Sequence, residues 1–180
     1  MKQVITFDGS VGKRRKKKGR NKSHLTTSSA ILDLGNKKIF KIDTAYKKVT
    51  PIAAEFGGLL LAIELAKEIG LPSVSFLGDC KMVVDLVTGR SKPSKPSTRS
   101  LMTEVKEGLK AIKEWDINWI PRKQNKMADS LCREPLRKVN PKCIDPCSMD
   151  QFHLKTGSRD VPDIVIGDEC ECTPVYADDR

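Results

Sequence analysis

No apolar run in this chain of 180 residues reaches the roughly 18–20 residues needed to cross a bilayer. A membrane-spanning protein is therefore not expected. The opening MKQVITFDGS has no long apolar stretch of the kind a secretory signal carries. Histidine is scarce, with only His24 and His153. No internal repeat is visible, which argues against a solenoid. The six cysteines are Cys80, Cys132, Cys143, Cys147, Cys170 and Cys172. The last four read C-x3-C and, further on, C-x-C, which is not a standard zinc-ligand spacing. Free thiols in a cytoplasmic protein are the expectation.

What the chain has in excess is positive charge, unevenly placed. The net charge is +10, with 33 Lys and Arg against 23 Asp and Glu. Residues 13–22 hold Lys13, Arg14, Arg15, Lys16, Lys17, Lys18, Arg20 and Lys22, and no acid. The tail from Cys143 holds nine acids and three bases, which leaves +16 on the first 142 residues. A domain this basic should attract a polyanion, nucleic acid foremost. Phosphates would be held by the run without sequence being read. Residues 13–20, KRRKKKGR, also fit a nuclear import signal, so a nuclear location is the alternative if the source is eukaryotic.

The spacing of apolar residues gives an order of elements. Val4 to Phe7 reads as a strand running into a turn at Asp8-Gly9-Ser10, followed by a basic loop over 12–23. Ala30–Leu34 and Ile39–Ile42 read as strands joined at Leu34-Gly35-Asn36. Thr50-Pro51 opens a helix whose apolar face is Ile52, Phe56, Leu59, Leu60 and Ile63. Gly57-Gly58 inside it suggests close packing on another element. A strand over Ser73–Leu77 ends at Gly78-Asp79, and a short helix covers Cys80–Val87. Arg90–Ser97 reads as a linker, Ser100–Glu114 as a helix, Ile117–Pro121 as a strand and Asn125–Glu134 as a last helix. Trp115 and Trp119 are expected in the core, and Glu64, Glu68 and Asp85 on solvated helix faces. Three antiparallel strands followed by parallel ones imply an α/β fold: a mixed five-stranded sheet with helices on both faces. Residues 1–134 would form the domain. Residues 135–180 would be an acidic, Cys- and Pro-containing tail with little order.

Four acids stand where a metal site would favour them. Asp8 and Asp79 end strands, while Glu55 and Asp129 lie one turn into helices. Strand ends and the first turns of helices packed over them can converge. Carboxylates gathered there repel one another unless a cation neutralises them. Oxygen ligands of this kind select Mg²⁺ or Mn²⁺. Taken singly, each acid also fits a turn, a cap or a surface position.

Four segments carry a family resemblance: ITFDGS, TPIAAEFGGLLLAIELA, VSFLGDCKMVVDLVTG and WIPRKQNKMADSLCR. In order and spacing they resemble the type 1 ribonuclease H family, more closely its reverse-transcriptase-like, plant- and bacterial-type branch. The last segment is similar to the branch motif P-R-x-x-N-x-x-A-D-x-L, and the match covers roughly residues 3–134. The resemblance implies a ribonuclease H-like fold and Asp8, Glu55, Asp79 and Asp129 as catalytic acids that bind two ions of Mg²⁺ or Mn²⁺. It implies a metal-dependent endonuclease that hydrolyses the RNA strand of RNA–DNA hybrids, leaving 5′-phosphates. Ser10, Asn125, Arg122 and Lys123 are candidate nucleic-acid contacts beside the basic run. Three features depart from the family: lysine and arginine replace a glycine-rich stretch after the first motif, no histidine precedes the last acid, where Arg122 and Lys123 stand, and residues 135–180 have no recognised counterpart. The alternative is a catalytically weak or inactive protein of the same fold that binds hybrids or double-stranded RNA. A monomer is expected.

Overall fold

The structure is a computed structural model, and it describes residues 2–12, 24–47, 49–138 and 165–167. The basic run at 13–22 and the tail cysteines lie outside the described residues. Strand β1 spans Gln3–Val11, β2 His24–Asp33 and β3 Lys38–Lys47. They form the expected antiparallel meander, with Leu34 N–H donating to the Lys37 carbonyl at 2.9 Å across the β2–β3 turn. Gly35 takes φ 83° there, a left-handed conformation that glycine adopts without steric cost.

Helix α1 spans Pro51–Ile69, capped by Thr50, whose hydroxyl accepts from Ala53 N–H, and closed by Gly70 at φ 73°. Strand β4, Ser73–Gly78, then pairs parallel with β1. Helices α2, Lys81–Val87, and α3, Pro96–Leu109, lead to β5, Glu114–Trp119, which pairs parallel with β4. A 3₁₀ turn over Arg122–Gln124 precedes α4, Lys126–Lys138. The sheet runs β5-β4-β1-β2-β3, and a three-residue strand β6, Val165–Gly167, adds antiparallel to β3.

Several boundaries differ from the sequence reading, and β2 and β3 are longer than expected, at ten residues each. Asp8-Gly9-Ser10 is not a turn: β2 continues opposite it, pairing Asp8 with Ser29 and Ser10 with Thr27. Pro96 and Ser97, expected in a linker, open α3, because proline at the first helical position lacks only an N–H that would be unbonded anyway. Glu114, expected to end that helix, begins β5 instead. The last helix runs past Glu134 and Pro135 to Lys138.

Strand alternation divides the sheet into two covered faces. Ile5, Phe7, Ala30, Leu32, Val74 and Phe76 point to one side and form the main core with α1, α2 and α3. The opposite residues of β2 face α4, where Ile31 packs on Ala128 and Leu131. Thr27 Oγ1 donates to the Cys132 carbonyl at 2.6 Å and Ser29 Oγ to the Ala128 carbonyl at 3.0 Å, so hydroxyls dock α4 to the sheet. Lys41 is 1% exposed and holds Glu68 Oε1 at 2.6 Å and Glu64 Oε2 at 3.0 Å. Those two glutamates, expected merely to be solvated, neutralise a buried cation and tie α1 to β3. Asp85 likewise pairs with Lys81 and Arg90, each at 2.9 Å.

Candidate metal centre

The parallel ladder between β1 and β4 stops at Phe7 and Gly78. Asp8 and Asp79 are therefore the first residues beyond the last paired position, Asp8 within β1 and Asp79 just past the carboxyl end of β4. In open α/β sheets that is where ligands are bound. Helix α1 supplies the third acid by lying directly on β1. A Cβ at Gly58 would collide with the Asp8 carbonyl, and one at Gly9 with the backbone of Ala54 and Glu55. A Cβ at Gly57 would stand 2.5 Å from Ser28 Oγ, which donates to the Ala54 carbonyl at 3.0 Å. Three residues without side chains thus let helix backbone touch strand backbone, and Glu55 comes down beside Asp8.

One carboxylate oxygen each from Asp8, Glu55 and Asp79 lies within 4.8 Å of the others. Asp8 is 2% exposed. Glu55 Oε2 is buried without a hydrogen-bond partner. Burial first, then the charges of Asp79 and Asp129, push Asp8 up to about 6. Burial, then Asp8 and Asp79, push Glu55 up to about 8. Oxygen donors that crowd together and lose hydration, one of them without a partner, fit a hard divalent cation.

Asp129, the fourth acid, is not in that group. It stands in the first turn of α4, close enough for its charge to raise Asp8. Its Oδ1 is bonded by the Arg122 guanidinium and its Oδ2 by Arg133 Nε at 2.9 Å. Arg122 Nε also stands 3.9 Å from Asp79 Oδ2. Arg122 is thus a charge partner of two acids, while Lys123 is exposed on the same 3₁₀ turn.

A family model described as reverse transcriptase-like matches residues 18–134. The chain belongs to that branch of the ribonuclease H family. It is 30% identical over 89 residues to the Ribonuclease HI of Halobacterium salinarum, a stretch covering 49% of this chain and 45% of that protein. It is 27% identical over 92 residues to the Bifunctional protein Rv2228c of Mycobacterium tuberculosis, covering 51% and 25%. The chain thus spans less than half the length of these curated relatives. The crystal structure of RNase H1 from Halobacterium salinarum superposes with TM-score 0.65 at 26% identity, covering 77% of this chain and 99% of that one. That of LC11-RNase H1 in complex with RNA/DNA hybrid gives 0.62 at 21%, covering 77% and 99%, a likeness of fold.

Within this ribonuclease H-family fold, several residues stand elsewhere than their sequence suggested. Asn125 is 1% exposed, and its amide donates to the Phe7 carbonyl at 2.9 Å and to Asp79 Oδ1 at 3.4 Å. It ties the segment before α4 to the middle of β1 and to Asp79. Ser10 is half-buried in β1, two residues beyond Asp8. Cys132 is wholly buried, its thiol donating to the Asp8 carbonyl at 3.3 Å and reaching Ser29 Oγ at 3.2 Å. Burial pushes that thiol far above its usual range. The motif's leucine-then-cysteine ending gave no hint of that contact. Trp115 and Trp119, expected in the core, are 38% and 46% exposed because β5 is the sheet's edge. Trp119 Nε1–H donates to the Asp79 carbonyl at 2.9 Å, which places an exposed aromatic beside the acids. Cavities of about 350 and 490 Å³ flank α1 and α3, and none of the four acids lines either. Among the described residues no helix is long and apolar enough to cross a membrane.

Proposed function

We propose that this protein is a metal-dependent endonuclease that hydrolyses the RNA strand of RNA–DNA hybrids, with Asp8, Glu55, Asp79 and Asp129 as its catalytic acids. The observation that carries this reading is the meeting of Asp8, Glu55 and Asp79, from three distant stretches of sequence, within 4.8 Å. Membership of the ribonuclease H family supports it.

Two ions of Mg²⁺ or Mn²⁺, when bound, supply positive charge that acidifies the attacking water and offsets charge on the leaving oxygen. Asp8, Glu55 and Asp79 would hold the ions. Glu55 offers an oxygen that has no other partner. Asn125 and Trp119 hold the Asp79 side chain and backbone in place, which fixes the geometry before substrate arrives. Ser10 and Lys123 would make sugar or phosphate contacts, while the buried Asn125 would act on substrate through Asp79. The run Lys13, Arg14, Arg15, Lys16, Lys17, Lys18, Arg20 and Lys22 would grip backbone phosphates. Preference for a hybrid would come from its wide minor groove, which shows 2′-hydroxyls on one strand only.

A non-cutting binder of hybrids or double-stranded RNA is the second reading. The engagement of Asp129 by Arg122 and Arg133 favours it, because a fourth acid held by guanidiniums does not join the cluster. One assay separates the two. RNA–DNA hybrid, duplex DNA and double-stranded RNA are offered with Mg²⁺ or with EDTA, to wild type and to Asp8→Asn. Cleavage of the hybrid's RNA strand that needs metal and vanishes in the variant upholds the enzyme. Retained binding without cleavage in either protein replaces it with the binder.

A further inference from the structure

We propose that Arg122 is an internal counter-cation that holds Asp129 away from the metal centre until a substrate phosphate draws it off. The inference rests on the metal-centre reading above and concerns how the fourth acid joins it. Both oxygens of Asp129 are taken by guanidiniums, and the two arginines are not equivalent. Arg133 lies four residues on in the same helix, so it moves with Asp129. Arg122 belongs to the 3₁₀ turn and spans from Asp129 to Asp79, joining the start of α4 to the end of β4. It therefore occupies, with its own charge, the space between two carboxylates that a cation would bridge.

The arginine is also free to leave. Its side chain is 64% exposed, against 9% for Asp79 and 16% for Asp129. The acids are fixed in the fold while their cation sits on a solvated stem. A guanidinium binds phosphate through the same two-pronged geometry it uses for a carboxylate. A backbone phosphate arriving at the acids thus offers Arg122 an alternative partner, and its transfer releases the Asp129 oxygen. Phosphate arrival and completion of the four-acid site then become one event. Before that event, Asp8, Glu55 and Asp79 bind one divalent ion and a second binds poorly.

The test reads metal binding, not turnover. Mn²⁺ alone is titrated calorimetrically into metal-free wild type, Arg122→Gln, Arg122→Lys and Asp8→Asn, without nucleic acid. Arg122 is exposed and outside the core, and an unchanged circular dichroism spectrum with a cooperative thermal transition in EDTA verifies the folding of its variants. The expected result is one tight equivalent in wild type. A second is tightened about fivefold in Arg122→Gln, the effect of removing one exposed ion pair. Arg122→Lys, which keeps the charge but loses the fork, falls between. An unchanged second equivalent in Arg122→Gln, or an equal gain in both equivalents, overturns the latch. A wild type that binds no Mn²⁺, or binds it as Asp8→Asn does, overturns instead the metal centre on which the latch depends.

Discussion

Replacing Asp8 with asparagine should stabilise the metal-free protein at high pH and abolish its response to metal. Asp8 rises to about 6 and Glu55 to about 8 in the folded state, from ordinary values near 4. A carboxyl that holds its proton more tightly when folded stabilises the fold below its unfolded pKa. That contribution is lost as pH climbs through the folded value. Metal-free wild type should therefore lose stability between about pH 4 and pH 8. Two pH units on Asp8 correspond to roughly 3 kcal/mol at most, because each unit is worth about 1.4 kcal/mol. Asp8 and Glu55 share part of that penalty, so about 1–2 kcal/mol is the working figure for the substitution. For a chain of this size that means a Tm some 3–8 °C higher than wild type at pH 8 in EDTA, and about half that difference at pH 5, where the unfolded carboxyl is already ionised and the folded one is not. Added Mg²⁺ should raise the wild-type Tm by mass action and leave the variant nearly unmoved. Thermal unfolding followed by circular dichroism at both pH values, with EDTA or Mg²⁺, gives all the terms. A Tm difference between the two proteins that does not change from pH 5 to pH 8 refutes the argument. It would mean that Asp8 carries no burial penalty.

Other substitutions probe the scaffold. Gly58→Ala, which in an exposed helix would stabilise by about 1 kcal/mol, should here cost more than the usual ~1–3 kcal/mol of overpacking, because its methyl meets the Asp8 backbone. Urea unfolding measures this, and a neutral result would show that α1 does not press on β1. Lys41→Ala should cost about 2–4 kcal/mol in the same assay, while Lys41→Met, which fills the space, should stay within about 1 kcal/mol of wild type. Equal losses in the two would assign the whole contribution to the pairs with Glu64 and Glu68. Hybrid affinity should fall about 10³-fold or more between 50 and 200 mM salt if the basic run meets six to eight phosphates. Deleting residues 13–22 should flatten that slope in a fluorescence anisotropy titration.

The order of strands and helices, the proline start of α1 and the glycine pair inside it were legible because they are local. Apolar spacing, caps and breakers act over a few residues, and the chain states them directly. The four acids were also legible as candidates, since strand ends and first helical turns can be located from the same signals. What each acid does was not. Asp8 looked like a turn residue because Asp-Gly usually is one; only the continuation of β2 opposite it makes it part of a strand. Asn125 looked like a surface contact, and its burial depends on β1 passing beneath it. The tryptophans looked like core until β5 proved to be the sheet's edge. Sequence by itself determined the elements, their order and the charge the molecule carries. Tertiary structure alone decided that Asp8, Glu55 and Asp79 share one space while arginines hold Asp129. Distances between residues 47 or 71 positions apart depend on register and helix docking, which no short stretch of chain contains.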